Sequence, residues 1–451
     1  MSDHSHRVYV EGVDWHSLIP SLRLFRAFRI AIGPSKLFLA MCLVVLTYLG
    51  GLVLDSVWGQ VVFPHEVDAY LEQTQYGYEA WLEEQRDTER QLQGIFSTTL
   101  QEQLLAFRQL LVSALSFDLG LRGFLSAESS GSGGVRGALA KMVIGIPGWL
   151  YQTHPGFLAV FLFYLFVLTV IFGGAICRLA ALHATRQIRA SPFAGLRFGC
   201  RYFTWFVTAA VLPLGIIVGL GAMMAIAGLL LNFPVTDIAV SLIFGLLLVV
   251  GFLVALLLIG FAGAANLLFP ALAIEGTDGF DAISRGFGYV LQHPWRYLTY
   301  SIAALIHGAI TYSFVAFLVF LVLWSTKTFV GLWVWVDVAD AIGRFDAILP
   351  DPALGRLPFH ADTTDQQINA GWTVAISRSI VTVWVKLLIG LLPAFAFSYY
   401  FCAQTWIYLL LRQAADGTEM EQVYLENEEK EAAETVTTPA SPETAEGDEA
   451  G

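Results

Sequence analysis

Six stretches of this chain, the shortest of them 18 residues long, contain no Asp, Glu, Lys or Arg. They cover residues 37–54, 156–177, 202–236, 238–274, 297–326 and 387–411. Roughly 20 helical residues cross a hydrocarbon core of about 30 Å. Inside a bilayer the backbone must satisfy its own hydrogen bonds, which makes the helix the expected form of all six. Composition agrees: 56% of residues are hydrophobic and only 14% charged, too little charge to cover a soluble domain of this size. The expected fold is therefore an all-α integral membrane protein with six transmembrane helices at 37–57, 156–178, 203–231, 238–262, 297–324 and 382–411. The fourth stretch is longer than one crossing needs, and its end, Asn266 through Pro270, is expected to emerge as an interfacial segment.

Lys and Arg near span ends set orientation. Twelve of them, Arg26, Arg29, Arg186, Arg197 and Arg412 included, fall on one side, against Lys141, Lys327, Arg344 and Arg378 on the other. The first side is expected to be cytoplasmic, as are both termini, in a bacterial inner membrane. Residues 1–36 then form a cytoplasmic segment ending in an amphipathic helix that leads into the first span. Two extracytoplasmic insertions follow from this topology. In residues 58–155, apolar residues recur at helical spacing between Glu66 and Leu115, which predicts amphipathic helices suited to binding membrane or envelope proteins. Ser129–Gly134 reads as a flexible linker, and Leu139–Leu150 as an interfacial helix returning to the bilayer. Residues 325–378 show no helical pattern.

The net charge of −12 is almost all in the tail, where residues 413–451 hold 12 acids against Lys430. This tail is expected to be cytoplasmic and disordered. The remainder is near neutral, and no basic field suited to nucleic acid exists. Cys42, Cys177, Cys200 and Cys402 lie outside the two insertions and match neither a disulfide framework nor a zinc spacing.

An internal repeat stands above composition. Glu275-Gly276-Thr277-Asp278 follows the fourth span and Asp416-Gly417-Thr418-Glu419 the sixth, with His183-Ala184-Thr185-Arg186 as a degenerate copy after the second. A segment mixing aromatics with Arg precedes the first, third and fifth spans. Three parallel helical hairpins are the simplest account. The stretch from Ala273 to Tyr289 with Pro294-Trp295-Arg296-Tyr297-Leu298 resembles a cytoplasmic helix motif of uncharacterised bacterial membrane proteins. These are related to the membrane domain fused to some glycerophosphodiester phosphodiesterases. The resemblance covers about residues 160–412 and implies fold and location. The catalytic domain of those enzymes has no counterpart here, so no activity carries over.

The chain contains no phosphate-binding loop, dinucleotide fingerprint, Gly-x-Ser-x-Gly or His-Glu-x-x-His. His65, Asp68 and Glu72 share one helical face, and His360 with Asp362 lies in a polar loop; both read as solvated surface, not as metal ligands. Polar residues within spans default to functional candidates, and these are His307 with Thr311 one turn on, Lys386 beside Trp384, and Asn266. No cofactor, metal or catalytic residue is expected. The function expected is a non-catalytic membrane protein that organises a complex or the envelope. The alternative is a transporter or permease for a small solute or lipid.

Overall fold

A computed structural model describes residues 25–418, apart from 74, 87–91, 117, 119–132 and most of 335–371, together with residues 423 and 424. The described residues form helices and one two-stranded ribbon. A short helix, α1 (Phe25–Ala31), leads into α2 (Pro34–Trp58). The insertion follows as β1 (Gln60–Val62), α3 (Glu66–Glu72), α4 (Gln75–Arg86), β2 (Gln93–Gly94), α5 (Ile95–Leu115), α6 (Gly134–Ala140), a π-helical turn at Lys141–Gly145, and α7 (Ile146–Thr153). Next come α8 (Pro155–Arg186), α9 (Pro192–Arg201), α10 (Phe203–Leu230), α11 (Thr236–Leu242), α12 (Phe244–Glu275), α13 (Gly279–Gln292), α14 (Pro294–Gly331) and α15 (Trp372–Asp416). Six of these, α2, α8, α10, α12, α14 and α15, are long and apolar enough to cross a membrane. The short amphipathic helices expected before the odd spans are α1, α9 and α13. Pro34 and Pro294 sit at the first positions of the helices that follow, where a missing N–H costs nothing.

Several boundaries differ from expectation. No interfacial segment emerges at Asn266–Pro270, because α12 continues through Pro270 to Glu275. Leu267, Leu268, Ala271 and Leu272 are buried there, and packing outweighs the one hydrogen bond that proline removes. The helical run starting near Ile238 breaks after Leu242, and α12 begins only at Phe244. At the other end of the chain, α15 starts at Trp372, ten residues before the expected span, and ends at Asp416, inside the segment expected to be tail. The β1–β2 ribbon, with Gln60 opposite Gly94 and Val62 opposite Gln93, was not legible in the sequence. Most of the Ser129–Gly134 linker, His360, Asp362, Glu419 and residues 425–451 lie outside the described residues.

The chain divides into two compact units. The first comprises Met1–Ile30, Gly174–Ala304 and Phe401–Gly451. Its centre is α13, whose buried residues Gly279, Ala282, Gly286, Tyr289 and Val290 recur every three or four positions and so share one face. At Gly279 that face meets the α10 backbone so closely that a Cβ would stand 2.8 Å from the Trp205 carbonyl oxygen. Only glycine fits. Phe198, Phe206, Phe269 and Phe401 form a chain of ring contacts through the same unit.

The second unit comprises Ala31–Gly173 and Leu305–Tyr400. Its insertion builds a core from Val62, Val67, Ile95, Phe96, Ile146 and Trp149, continuous with Phe157 and Phe161 of α8. Within this core lies a carboxylate, Glu66, which accepts from the Phe63 N–H and the Tyr78 hydroxyl at 2.9 Å each, and from Trp149 Nε1 at 3.2 Å. Three donors make its burial tolerable. Burial, then the Glu66 charge, pushes the Tyr78 hydroxyl well above its ordinary range. Asp55, one residue past the first uncharged stretch, caps α5: its carboxylate accepts from the N–H groups of Phe96 and Ser97 at 2.6 and 3.0 Å. These are orphan donors of a helix N-terminus, where negative charge is favoured.

Candidate functional site

The repeat motif marks a polar cluster in the first unit. Helix α12 ends at Glu275 because Gly276 turns left-handed, with φ of 65°, a conformation glycine adopts freely. Asp278 then caps α13, its side chain accepting from the Asp281 N–H at 2.9 Å. One turn later, Arg285 Nε donates to Asp281 at 2.9 Å and its guanidinium stands 3.6 Å from Glu275. From α15, the Tyr408 hydroxyl donates to Glu275 Oε1 at 3.0 Å, and Arg412 Nε forms an ion pair with the same oxygen at 3.0 Å. The side chains of Glu275 and Arg412 are each only 9% exposed. Tyr289 of α13 donates to Asp416, the last residue of α15. Burial, then that carboxylate, pushes the Tyr289 hydroxyl up to about 12. Burial works against the charge on Arg285, but Glu275 and Asp281 outweigh it and raise its affinity for the proton.

A second device closes the same helix end. Arg178 of α8 donates to the carbonyls of Ala273 and Tyr424, both at 2.8 Å, and so satisfies an acceptor the α12 terminus leaves open. The Tyr424 N–H donates to the Ile274 carbonyl at 3.0 Å, and its ring lies where a side chain on Gly276 would be. Residues 423 and 424, expected to belong to a disordered tail, thus pack on α12, with Val423 buried.

The repeat holds for two of its three copies. Glu275-Gly276-Thr277 and Asp416-Gly417-Thr418 both end a helix on the acid and place a left-handed glycine next, φ being 65° and 67°. The Thr277 and Thr418 hydroxyls are both buried without hydrogen-bond partners among the described residues. In the first copy the expected register fails. Thr185 is still inside α8, donating to the Ala181 carbonyl, and the left-handed residue is Gln187 at φ of 57°. The equivalent of Gly276 is therefore Gln187, not Ala184. A non-glycine in that conformation leaves no sequence signature.

The intramembrane candidates are not brought together. His307 Nδ1 of α14 lies 3.0 Å from the Tyr399 hydroxyl of α15, while Thr311 donates to the His307 carbonyl in its own helix. Lys386 of α15 donates to the Tyr48 hydroxyl of α2 at 3.3 Å and stands over its ring. Asn266 of α12 meets the Tyr297 hydroxyl of α14 at 3.4 Å. Sequence reasoning missed Arg178, Arg285, Arg412, Tyr289, Tyr408 and Tyr424. Only Asp281 and Arg285, four apart on one helix, gave a local signal.

Chemically, Glu275 is a hub. Its two oxygens are engaged by Tyr408, Arg412 and Arg285, whereas a general base needs an oxygen turned to its substrate. Among the described residues no group of His, Cys, Asp and Glu is placed to hold a metal ion.

Fold and site together define a polytopic all-α membrane protein in which a buried ion pair ties the end of α12 to α15. Comparison with protein-family models, with curated proteins and with solved structures finds no match to this chain.

Proposed function

We propose that this protein is a non-catalytic organiser of a bacterial inner-membrane complex or of the envelope. Both termini face the cytoplasm, and the insertion around residues 66–115 meets membrane or envelope partners on the other side. One observation carries the reading. Three candidate polar residues within the spans are hydrogen-bonded to a tyrosine hydroxyl of another span, His307 to Tyr399, Lys386 to Tyr48 and Asn266 to Tyr297. Such pairs hold helices together in lipid, and a proton- or ion-coupled transporter needs an ionisable group left to titrate or bind. The resemblance to the membrane domain of glycerophosphodiester phosphodiesterases supports fold and location only.

The test is His307→Gln, expressed from its own promoter in a deletion strain of the native host. Glutamine keeps a hydrogen-bonding group, so the cost is about 0.6–2 kcal/mol and the strain's deletion phenotype is rescued. A variant that inserts and folds but fails to rescue would promote the transporter reading, because Gln cannot titrate. Orientation is checked by single cysteines in a background without the four native ones. Glu83→Cys reacts with impermeant reagent in intact cells and Ser191→Cys does not.

A further inference from the structure

We propose that the insertion of the second unit is seated in the bilayer, where α5 packs on the spans and α6 and α7 turn one apolar stripe to phospholipid, as a wedge in a single leaflet. The proposal rests on the six-span reading of the chain and is independent of whether the protein is catalytic.

Depth comes from two contacts of α5. The Phe96 ring rests on Gly51 of α2, where any Cβ would collide with it, and Gly51 stands 17 residues in from Pro34. Phe107 meets Tyr312 of α14 edge-on at 5.5 Å, and Tyr312 stands 18 residues in from Pro294. The first and fifth spans cross in the same direction. Both contacts therefore fall about 26 Å from those helix starts, which is about 21–23 Å from the expected span starts at residues 37 and 297 and within the far leaflet of a core of about 30 Å. Phe96 and Phe107 of α5 thus each meet a span inside its crossing.

The polar groups beside the stripe are paired within the insertion, as a lipid setting favours. Lys141 pairs with Asp68 at 2.7 Å and with Glu102 of α5 at 2.9 Å. Gln103 donates to the Met142 carbonyl at 3.0 Å.

The stripe is made by the π-helical turn at Lys141–Gly145. A π turn inserts about one residue, which rotates the helix beyond it by about 100°. That rotation lines Tyr151 up with Leu139, Val143 and Ile144, and brings Ile146, Trp149 and Leu150 in line with Ala138 on the opposite, buried face. Exposures divide accordingly. Leu139 is 44% exposed, Val143 68%, Ile144 72% and Tyr151 70%, against 0% for Ala138, Ile146 and Trp149. So large an apolar stripe needs an occupant. Only His154 separates α7 from the first residue of α8, so the stripe ends at the mouth of a span, where the surrounding medium is lipid.

The full chain, in vesicles of phosphatidylethanolamine and phosphatidylglycerol, decides the matter. A nitroxide is placed singly at Val143, Ile144 or, as a water-exposed reference on α4, Glu83, with the native cysteines replaced by Ala. Collision with oxygen, which concentrates in lipid, is compared with collision with a water-soluble nickel chelate. Val143 and Ile144 are expected to favour oxygen several-fold and Glu83 to favour nickel. Labels at Leu139 and Tyr151 give the same reading should a variant misfold. Nickel access at the stripe equal to that at Glu83 would place it in water and overturn the proposal. Low access to both probes with dipolar broadening between labels would also overturn it, by placing a second copy of the chain on the stripe.

Discussion

Replacing Glu275 by Ala probes the hub directly. The change removes the acceptor of the Tyr408 hydroxyl and the counter-charge of Arg412, whose side chain is only 9% exposed. A buried ion pair that loses one partner costs about 3–5 kcal/mol, because the other charge stays desolvated without that counter-charge. Arg285 adds little, being 35% exposed and 3.6 Å away, and pairs of that kind contribute about 0–1 kcal/mol. The expected loss for Glu275→Ala is therefore about 3–5 kcal/mol. The double variant Glu275→Leu/Arg412→Leu behaves differently, since exchanging a whole buried pair for apolar groups is often neutral. It is expected to recover to within about 1 kcal/mol of the parent. Unfolding of the purified protein by titration with SDS, followed by circular dichroism, measures both variants and the coupling between the two sites. A Glu275→Ala cost under about 1 kcal/mol, or a double variant as unstable as the sum of its singles, would refute the hub.

Three other outcomes are expected. Gly417→Ala meets open space and pays only for its left-handed backbone, about 1–2 kcal/mol; Gly276→Ala also meets the Tyr424 ring and costs more, the excess vanishing in a Tyr424→Ala background by the same unfolding assay. Truncation after Tyr424 leaves thermal stability unchanged, whereas truncation after Thr418 removes Val423 and Tyr424 with their bonds to Ile274 and Arg178 and lowers the melting midpoint. His154 is held below the ordinary histidine value by burial, only partly opposed by Glu66. The unfolded chain then takes up the proton first, so stability falls as pH drops below about 6.5, and His154→Gln flattens that slope in melting curves recorded between pH 7.5 and 5.

What the sequence determined by itself was everything that depends on local pattern. Uncharged length located six spans, because a bilayer tolerates neither charge nor unsatisfied backbone over about 30 Å. The mixture of aromatics and arginine before Pro34 and Pro294 located the lead-in helices. The two acid-Gly-Thr-acid tetrapeptides marked equivalent points after the fourth and sixth spans, though the helix ends at Glu275 and Asp416 lie beyond the expected span ends. What only the tertiary structure decided was which distant side chains meet. Asp55, just beyond the first uncharged stretch, caps α5, 41 residues away. Arg412, counted among the orientation signals, is also half of a buried ion pair, and Arg178 caps a helix. Gln187 hid a left-handed turn behind an ordinary residue, and Pro270 stayed helical because its neighbours are packed. Periodicity and charge report what a segment can bury. They carry no record of the partner, because interactions that close over tens or hundreds of residues depend on how the helices pack and not on any local spacing.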